Sequence, residues 1–460
     1  MADNTKIVTV NPATGEEIAH YDTYDFVQVN EILAEVDSAW EIWKKEDLCH
    51  RRNLLRRLGE EFRSDREYYA KQMTLEMGKI RREALAEIDK VAMYCDFYAD
   101  KAEEFLADEH IPVAGAQKSY VRFEPLGPVL AVMPWNFPFW QVMRFAVPNT
   151  LAGNVTVLKH AAEVTGCALL LEEAFKKAGF PENIFRTLVI RGPQVKPVIE
   201  SSVIRGVTLT GSVGAGSSVA TICGRSLKKS VMELGGSDAF IVLEDVDMDA
   251  CAPIAFKSRF ANNGQVCISA KRFLVHEDVY DAFVAEQKIL VESLHIGDPL
   301  LERTDYGPMS KLESLEQIER QVKESIALGA KLVAGGHRLD MSGFYYAPTI
   351  LADVTPDMPV FREETFGPVM TILKVKDEKE AVRLANDSPF GLGGNVWTTD
   401  IERGQRVAAQ IETGSVFVNS FTQSIPALPF GGTKLSGYGR EMSSYGIKEF
   451  MNAKTIFVAE

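Results

Sequence analysis

The chain lacks the stretches that would place it across a membrane or on nucleic acid. It has no run of 18 consecutive apolar residues and no basic run longer than a few residues. Its 50 lysines and arginines are outnumbered by 64 aspartates and glutamates, which gives a formal net charge of −14. A membrane helix needs about 20 apolar residues, and sequence-independent nucleic-acid binding needs a basic surface. We therefore expect neither a membrane-spanning nor a nucleic-acid-binding protein.

Cysteine is scarce and scattered. The six cysteines show no close pairs of the kind that mark a disulfide frame or a zinc site; they are Cys49, Cys95, Cys167, Cys223, Cys251 and Cys267. This pattern favours reduced thiols, and we predict no metal site. The first residues, MADNTKIVTVNPATGEE, contain no cationic segment followed by an apolar one. A cytoplasmic location is the resulting expectation.

The periodicity of apolar residues predicts an α/β protein. With 460 residues, of which 46% are hydrophobic, the chain is long enough for two or three domains. Residues 27–107 are predicted to be helical, with one apolar face formed by Leu85, Ile88, Ala92, Cys95, Ala99 and Ala102. From Gly127 onward, short apolar runs alternate with helical stretches such as residues 165–179. A second such set follows Cys267. These patterns predict parallel βαβ units that bind ligands at the carboxyl ends of their strands.

Three residues have side chains suited to nucleophilic catalysis at a carbonyl group. Cys267 lies in FANNGQVCISAKRF, 34 positions after Glu233 in VMELGGSD, and Asn136 lies in PWNFP after a predicted strand. A cysteine thiolate adds readily to a carbonyl, a buried glutamate can activate water, and an asparagine amide can donate to an oxyanion. For each residue a structural alternative stays open: an inert buried cysteine, a solvated glutamate and a turn asparagine.

Together with GSVGAG at residues 211–216 and PFGGTKLSGYGRE near the C-terminus, these motifs resemble the aldehyde dehydrogenase superfamily of NAD(P)-dependent enzymes. The resemblance covers nearly the whole chain, in the order and at about the spacing of that family. It implies a Rossmann-like cofactor-binding domain (1–107 and 126–235), an α/β catalytic domain (236–448) and a small oligomerisation β-extension (108–125 and 449–460). A homodimer or homotetramer is the implied assembly.

The resemblance also assigns roles to residues. It implies that Cys267 is the nucleophile, that Glu233 activates the water that hydrolyses the thioester, and that Asn136 donates to the oxyanion together with the Cys267 backbone N–H. Gly235 and Gly236 are expected to allow close approach of the cofactor. The predicted cofactor-binding residues are Trp135, Lys159, Gly211, Ser212, Gly216, Leu234, Glu364 and Phe366.

One departure from the family bears on the choice of cofactor. Members that prefer NAD usually have a glutamate three residues after the lysine that corresponds to Lys159, whereas this chain has Ala162. Without that carboxylate, nothing repels the 2′-phosphate of NADP. We therefore predict NADP or NAD as cofactor, with NADP favoured, and Glu163 leaves dual use open.

Substrate identity depends mainly on Arg144, which lies about two helical turns beyond Asn136. Family members that oxidise succinate semialdehyde have an arginine there, and an arginine can bind a carboxylate in bidentate fashion. Ser424 is a candidate hydrogen-bond donor, whereas Ala261 stands where some of these enzymes have a second arginine. The resemblance therefore implies oxidation of succinate semialdehyde to succinate.

Four alternatives stay open. In the first, Arg144 is a structural ion-pair residue. In the second, the protein is an aldehyde dehydrogenase that oxidises a broader range of aldehydes. An enzyme that forms acyl-CoA and a non-catalytic binding or structural protein are two further alternatives. Retention of Cys267 and Glu233 weighs against both of these.

Overall fold

The computed structural model of this chain describes residues 5–460, so the first four residues of the predicted cofactor-binding domain lie outside the described part. The helices are α1 (Phe26–Trp43), α2 (Leu48–Ser64), α3 (Arg66–Met77), α4 (Arg81–Phe105), α5 (Trp140–Leu151), α6 (Thr165–Lys177), α7 (Val195–Glu200), α8 (Val213–Arg225), α9 (Met248–Phe260), α10 (Glu277–Glu292), α11 (Leu312–Ala327), α12 (Pro359–Arg362), α13 (Glu378–Asn386), α14 (Ile401–Ala408) and α15 (Ser443–Lys448). The strands are β1 (Lys6–Val10), β2 (Glu17–Asp22), β3 (Glu109–His110), β4 (Ala116–Pro125), β5 (Pro128–Met133), β6 (Val155–His160), β7 (Phe185–Thr187), β8 (Gly206–Thr210), β9 (Lys229–Glu233), β10 (Asp238–Val242), β11 (Ala270–His276), β12 (Lys331–Ala334), β13 (Thr349–Ala352), β14 (Val369–Val375), β15 (Phe390–Gly391), β16 (Gly394–Trp397), β17 (Phe417–Val418), β18 (Thr433–Lys434), β19 (Gly437–Tyr438) and β20 (Met451–Ala459).

The first large sheet has six strands in the order β19-β9-β8-β5-β6-β7. All neighbours in it are parallel except β19, which runs antiparallel to β9. Thr210 pairs with Glu233 in the register of β8 and β9, so these two strands end at the same edge. The strands predicted after Gly127 are thus confirmed, and their carboxyl ends form one edge where ligands of such sheets bind.

The N-terminal helices pack on this sheet in a single hydrophobic cluster. The predicted apolar face of α4 is confirmed, because every one of its six residues is buried. This face gives α4 a stripe that packs against α2, α3 and α5. Consequently α4 is held close to α5, the helix that carries Arg144.

The second large sheet has seven strands in the order β12-β13-β14-β11-β10-β16-β17. Only the edge strand β12 is antiparallel to its neighbour. In β10, Ala239 and Ile241 belong to one buried cluster, whereas Phe240 and Val242 belong to another. Side chains of a strand alternate between the two faces, so both faces of this sheet are covered.

A three-stranded antiparallel sheet contains β20, β4 and β3 in that order. The two segments predicted to form the β-extension, 108–125 and 449–460, contain β3, β4 and β20. The strands β4 and β20 pair along nearly their full length, from Met451 opposite Pro125 to Ala459 opposite Ala116. The last strand therefore has a partner in its own chain. Its other edge pairs with no strand among residues 5–460.

The predicted domain boundaries stay a prediction. Two features of the chain organisation were not foreseen from sequence: the N-terminal hairpin of β1 and β2, and the return of β19 from the C-terminal third of the chain to the first sheet. Across residues 5–460, no helix has the length and apolar character needed to cross a bilayer.

Candidate active site

Cys267 lies in a tightly turned loop between α9 and β11. Three consecutive residues of this loop, Asn262, Asn263 and Gly264, have positive φ angles of 50°, 53° and 72°. Asparagine and glycine tolerate this left-handed conformation better than other residues do. Asn262 is also held from outside, because its backbone N–H donates to the Glu83 carboxylate at 3.0 and 3.1 Å. The turn, held by Glu83 on α4, therefore positions Cys267.

Asn136 is tied to the same loop. Its side-chain Nδ2 donates to the Gln265 carbonyl at 3.0 Å, and its own carbonyl accepts from Asn262 Nδ2 at 2.9 Å. The residue is almost fully buried. These two hydrogen bonds fix the amide beside Cys267, at the wall of a cavity that both residues line.

Two cavities meet at Cys267. The wide cavity has a volume of about 350 Å³, and the narrow cavity has a volume of about 170 Å³. Cys267 and Gln141 line both of them. The wide cavity is also lined by Trp135, Asn136, Gly211, Ser212, Leu234, Glu364 and Phe366. The narrow cavity is also lined by Lys90, Trp140, Arg144, Lys257, Ala261, Phe421, Ser424 and Phe430.

Burial raises the pKa of the Cys267 thiol to about 11, although the positive charges of Arg144 and Lys271 act in the opposite direction. Only the part of its surface that faces the cavities is accessible, so the residue as a whole is half-buried. A thiolate is the reactive form. The site therefore holds a protonated thiol at neutral pH until a further positive charge enters.

Lys271 was missed by reasoning from the sequence. Its ammonium donates to the Cys267 carbonyl at 2.7 Å and to the Val266 carbonyl at 3.1 Å, and it pairs with Glu364 at 3.2 Å. The signal for it was a lysine beside Arg272 at the start of the strand KRFLV, whose following residues are apolar, because a buried charge must have partners. Lys271 thus connects the cysteine loop to the predicted cofactor residue Glu364.

Glu233 is placed at the end of β9 and is only 2% exposed. Neither of its carboxylate oxygens accepts a hydrogen bond within the described part of the chain. Burial, and then the negative charge of Glu441, raise the pKa of Glu233 well above its ordinary value, while Arg144 and Arg440 lower it. Glu233 does not line either cavity. It lies behind the wall, close enough to act electrostatically on Cys267.

The structure changes the explanation of the glycines. Gly235 and Gly236 were expected to admit the cofactor, but it is the Glu364 carboxylate that lies against them. The Gly236 N–H donates to Glu364 Oε1 at 3.0 Å, and a Cβ on Gly235 would collide with Oε2. Gly216 makes room for Leu234, since a Cβ there would lie 2.7 Å from Leu234 Cδ1. These glycines therefore permit packing between protein groups that line the wide cavity.

The wide cavity has features that suit a dinucleotide. Ser212 caps α8 by accepting from the Ala215 N–H at 3.3 Å, and the first turn of this 13-residue helix begins at the cavity wall. A helix N-terminus attracts phosphate. Trp135 and Phe366 meet edge to face at the wall, with ring centroids 5.7 Å apart. Lys159 is near the end of β6. Burial lowers the pKa of Lys159, and the negative charge of Glu163 offsets only part of this effect.

Arg144 forms an ion pair, as expected of a structural arginine, and it also lines the narrow cavity, as expected of a carboxylate ligand. It is buried, and its Nε forms an ion pair with Glu441. Its guanidinium also lies 4.4 Å from the Phe430 ring centroid. Among the described residues, however, Nη2 has no hydrogen-bond partner. Burial disfavours its charge, but the pKa of Arg144 is nevertheless raised, chiefly by the negative charge of its partner Glu441.

An open parallel sheet with a helix N-terminus at its carboxyl edge is the architecture of dinucleotide-binding proteins. Residues 1–456 match the aldehyde dehydrogenase family. The chain belongs to this family, as its motifs predicted.

Several relatives are similar over their whole length. A probable NADP-dependent succinate-semialdehyde dehydrogenase of Synechocystis sp. is 47% identical over 98% of this chain and 100% of its own. Succinate-semialdehyde dehydrogenase [NADP(+)] 1 of Mycobacterium tuberculosis is 42% identical over the same shares. The crystal structure of the succinic semialdehyde dehydrogenase of Streptococcus pyogenes with NADP+ superposes with a TM-score of 0.97, at 40% identity, over 99% of this chain and 100% of that one. The predicted fold is thereby confirmed.

Proposed function

We propose that this protein oxidises succinate semialdehyde to succinate and prefers NADP as the electron acceptor. The observation that carries the proposal is the narrow cavity, which is lined both by the buried Arg144 and by Cys267. A buried guanidinium is suited to hold a carboxylate, and the thiol is suited to attack an aldehyde at the other end of the same molecule. The relatives named for this activity support the assignment.

In this proposal Cys267 attacks the aldehyde carbon as a thiolate and forms a thiohemiacetal oxyanion. The oxyanion accepts hydrogen bonds from the Cys267 backbone N–H and from Asn136 Nδ2. An amide nitrogen has two hydrogens. One of them holds Asn136 against the Gln265 carbonyl at 3.0 Å, and the second is left for the oxyanion. When bound, the nicotinamide dinucleotide accepts the hydride that leaves the thiohemiacetal carbon, and a thioester to Cys267 remains.

Glu233 then removes a proton from water, which attacks the thioester carbon. The C–S bond breaks, Cys267 leaves as a thiolate, and the acid product forms. Burial, which raises the pKa of Glu233, suits it to this work because a general base functions best with a pKa near the working pH. Within residues 5–460 no group donates to its oxygens, but Glu233 lies behind the cavity wall, so in this proposal its side chain turns toward the cavity before it takes the proton.

The fit to NADP depends on residues 159–163. Ala162 offers no carboxylate toward an adenosine ribose, and Lys159 supplies a positive charge at the end of β6. Glu163, which left dual use open, forms an ion pair with Lys311 at 3.1 Å. That pairing neutralises the carboxylate that would otherwise repel a 2′-phosphate. NAD is therefore proposed as the weaker acceptor.

We also propose a cytoplasmic homodimer or homotetramer, without a nucleic-acid or membrane partner. The free edge of β20 supports self-association, because an unpaired strand edge offers hydrogen bonds to another chain. Phe457 and Val458 add exposed apolar surface on this strand. The mass of the protein in solution, measured by light scattering, tests this assembly.

The proposed activity is tested by following absorbance of reduced nicotinamide with succinate semialdehyde and propionaldehyde, each with NADP and NAD. A kcat/KM that favours the acid aldehyde and NADP is expected. Arg144→Leu should lose about 2–5 kcal/mol of binding for the acid aldehyde, while the KM of propionaldehyde changes little. The kcat should fall for both aldehydes, because Arg144 also lowers the pKa of Cys267. Equal kcat/KM for both aldehydes would indicate a broad-range aldehyde dehydrogenase instead. No turnover of any aldehyde would favour the non-catalytic alternative.

A further inference from the structure

Lys90 projects from α4 into the narrow cavity, beside Arg144. Its Nζ donates to Ser424 Oγ at 2.6 Å and lies 4.0 Å from the centroid of the Trp140 ring. Within residues 5–460, no carboxylate oxygen comes within 4.0 Å of this ammonium. Lys90 is therefore a largely buried cation whose polar contact is a neutral hydroxyl.

A second buried lysine in the same region is neutralised by a carboxylate. Lys79 forms a direct ion pair with Glu87 and has no exposed side-chain surface. The other oxygen of Glu87 accepts from the backbone N–H groups of Phe139 and Trp140 at 2.9 and 2.8 Å. All of the close partners of Glu87 are thus accounted for without Lys90. An unpaired buried charge is costly, and such charges cluster at functional sites.

The surroundings of Lys90 disfavour its charge in the free protein. Burial, and then the positive charge of Arg144, lower the pKa of Lys90 to about 8, while Glu87 raises it and Lys79 lowers it. Three cationic residues, Lys90, Arg144 and Lys257, line this small cavity, and the carboxylate of Glu441 pairs only with Arg144. An anion placed between Lys90 and Arg144 would relieve their repulsion.

We propose that Lys90 is a second cationic ligand for the remote carboxylate of the substrate, acting together with Arg144 and Ser424. This inference rests on the proposed function, since it identifies the residues that bind the acid end of the substrate. Ala261 lines the same cavity and contributes no charge. Lys90 therefore supplies, from α4, a second positive charge that the cysteine loop does not provide. Ser424 Oγ, which already accepts from Lys90, keeps its own hydrogen for the carboxylate.

The test compares Lys90→Met with the wild-type enzyme on succinate semialdehyde and on butyraldehyde, which has the same four-carbon skeleton without the acid group. Methionine keeps a long apolar stem over Trp140 and removes the charge together with the hydrogen bond to Ser424. We expect KM for succinate semialdehyde to rise at least about tenfold, as for loss of a charge-assisted hydrogen bond. KM for butyraldehyde should stay within about twofold. Lys90→Arg should restore most of the lost affinity.

Lys101 offers a matched control. It lies on the same helix, α4, but it does not line the narrow cavity, and it is solvent-exposed with its ammonium 2.7 Å from the Glu104 carboxylate. Lys101→Met should therefore leave both KM values within about twofold of wild type, because an exposed charge is screened by water. A KM increase equal to that of Lys90→Met would show that general electrostatic attraction, and not a specific contact, is responsible, and it would overturn the inference.

A second measurement does not depend on turnover. Succinate, the proposed product, should bind the wild-type enzyme and protect it against thermal unfolding, and Lys90→Met should lose this protection. If the wild-type enzyme prefers succinate semialdehyde and Lys90→Met keeps both the preference and the protection, Lys90 is not a ligand and the proposed function stands. If the wild-type enzyme shows no preference over butyraldehyde, the proposed function fails and the inference fails with it.

Discussion

The burial of Cys267 predicts that a neutral reagent such as iodoacetamide will alkylate it with a steep pH dependence in the cofactor-free protein. Only the thiolate reacts at an appreciable rate. Burial raises the pKa of the thiol to about 11, from an ordinary value of 9.0. At pH 8 the thiolate is therefore about one thousandth of the Cys267 population, against about one tenth for an unperturbed thiol.

The sign of the shift sets the shape of the profile. Since the raised pKa keeps the thiol protonated, the alkylation rate should rise about tenfold per pH unit between pH 7 and 10, without a plateau. Arg144→Leu removes a cation that lowers the pKa of Cys267, so alkylation at any pH in this range should be slower still. Added NADP should accelerate it near neutral pH, because the nicotinamide ring is positively charged.

The assay is quantitative mass spectrometry of the peptide that contains Cys267. Cys49 is exposed and will also react, so Cys49→Ser serves as the background for all variants. The four buried cysteines provide an internal check, since they should stay unmodified while the protein is folded. A rate that levels off near pH 8 without cofactor would refute the reasoning, because it would mean that the free protein already stabilises the thiolate.

Three further predictions concern the same site. Gly216→Ala should cost about 1–3 kcal/mol of unfolding free energy and weaken NADP binding, because the added Cβ would press on Leu234. Urea denaturation measures the first effect and equilibrium dialysis the second. Unchanged values would contradict the packing argument. Glu233→Gln should give a burst of about one equivalent of reduced cofactor per site and then turnover reduced by about 10²–10⁴-fold, whereas a missing burst would place Glu233 in an earlier step. Prolonged peroxide treatment without cofactor should inactivate the enzyme irreversibly, because Ser269 stands two residues after Cys267, where a cysteine would form a protective disulfide; full recovery with dithiothreitol would argue against this.

The sequence predicted the parts of the fold that depend on local pattern. The helical face of α4 and the short strands β5 to β8 follow from the spacing of apolar residues, which the chain itself displays. Motifs, whose members lie within a few positions of one another, identified Cys267, Asn136 and part of the wide cavity, but not its residues Lys311, Ser314 and Gln317. Short-range information was sufficient for both.

Other parts of the site depend on contacts that no local pattern encodes. Arg144 and Glu441 are 297 residues apart, and Lys90 and Ser424 are 334 residues apart. Their pairing requires α4, α5 and the C-terminal loops to converge around one cavity. The burial of Lys90 was likewise invisible in sequence, because an isolated lysine on a helix is usually solvated. Contacts between distant parts of the chain therefore determine which charged side chains are buried.

Because Cys267 forms part of the wall of both cavities, the two ligands of the proposed reaction approach it from different spaces. An acyl group bound to the sulfur would occupy the narrow cavity and leave the wide one free to exchange its contents. Reduced dinucleotide can then depart before hydrolysis, and the volume it vacates is where solvent reaches the thioester. The order of product release would thus follow from the position of a single sulfur atom between two compartments.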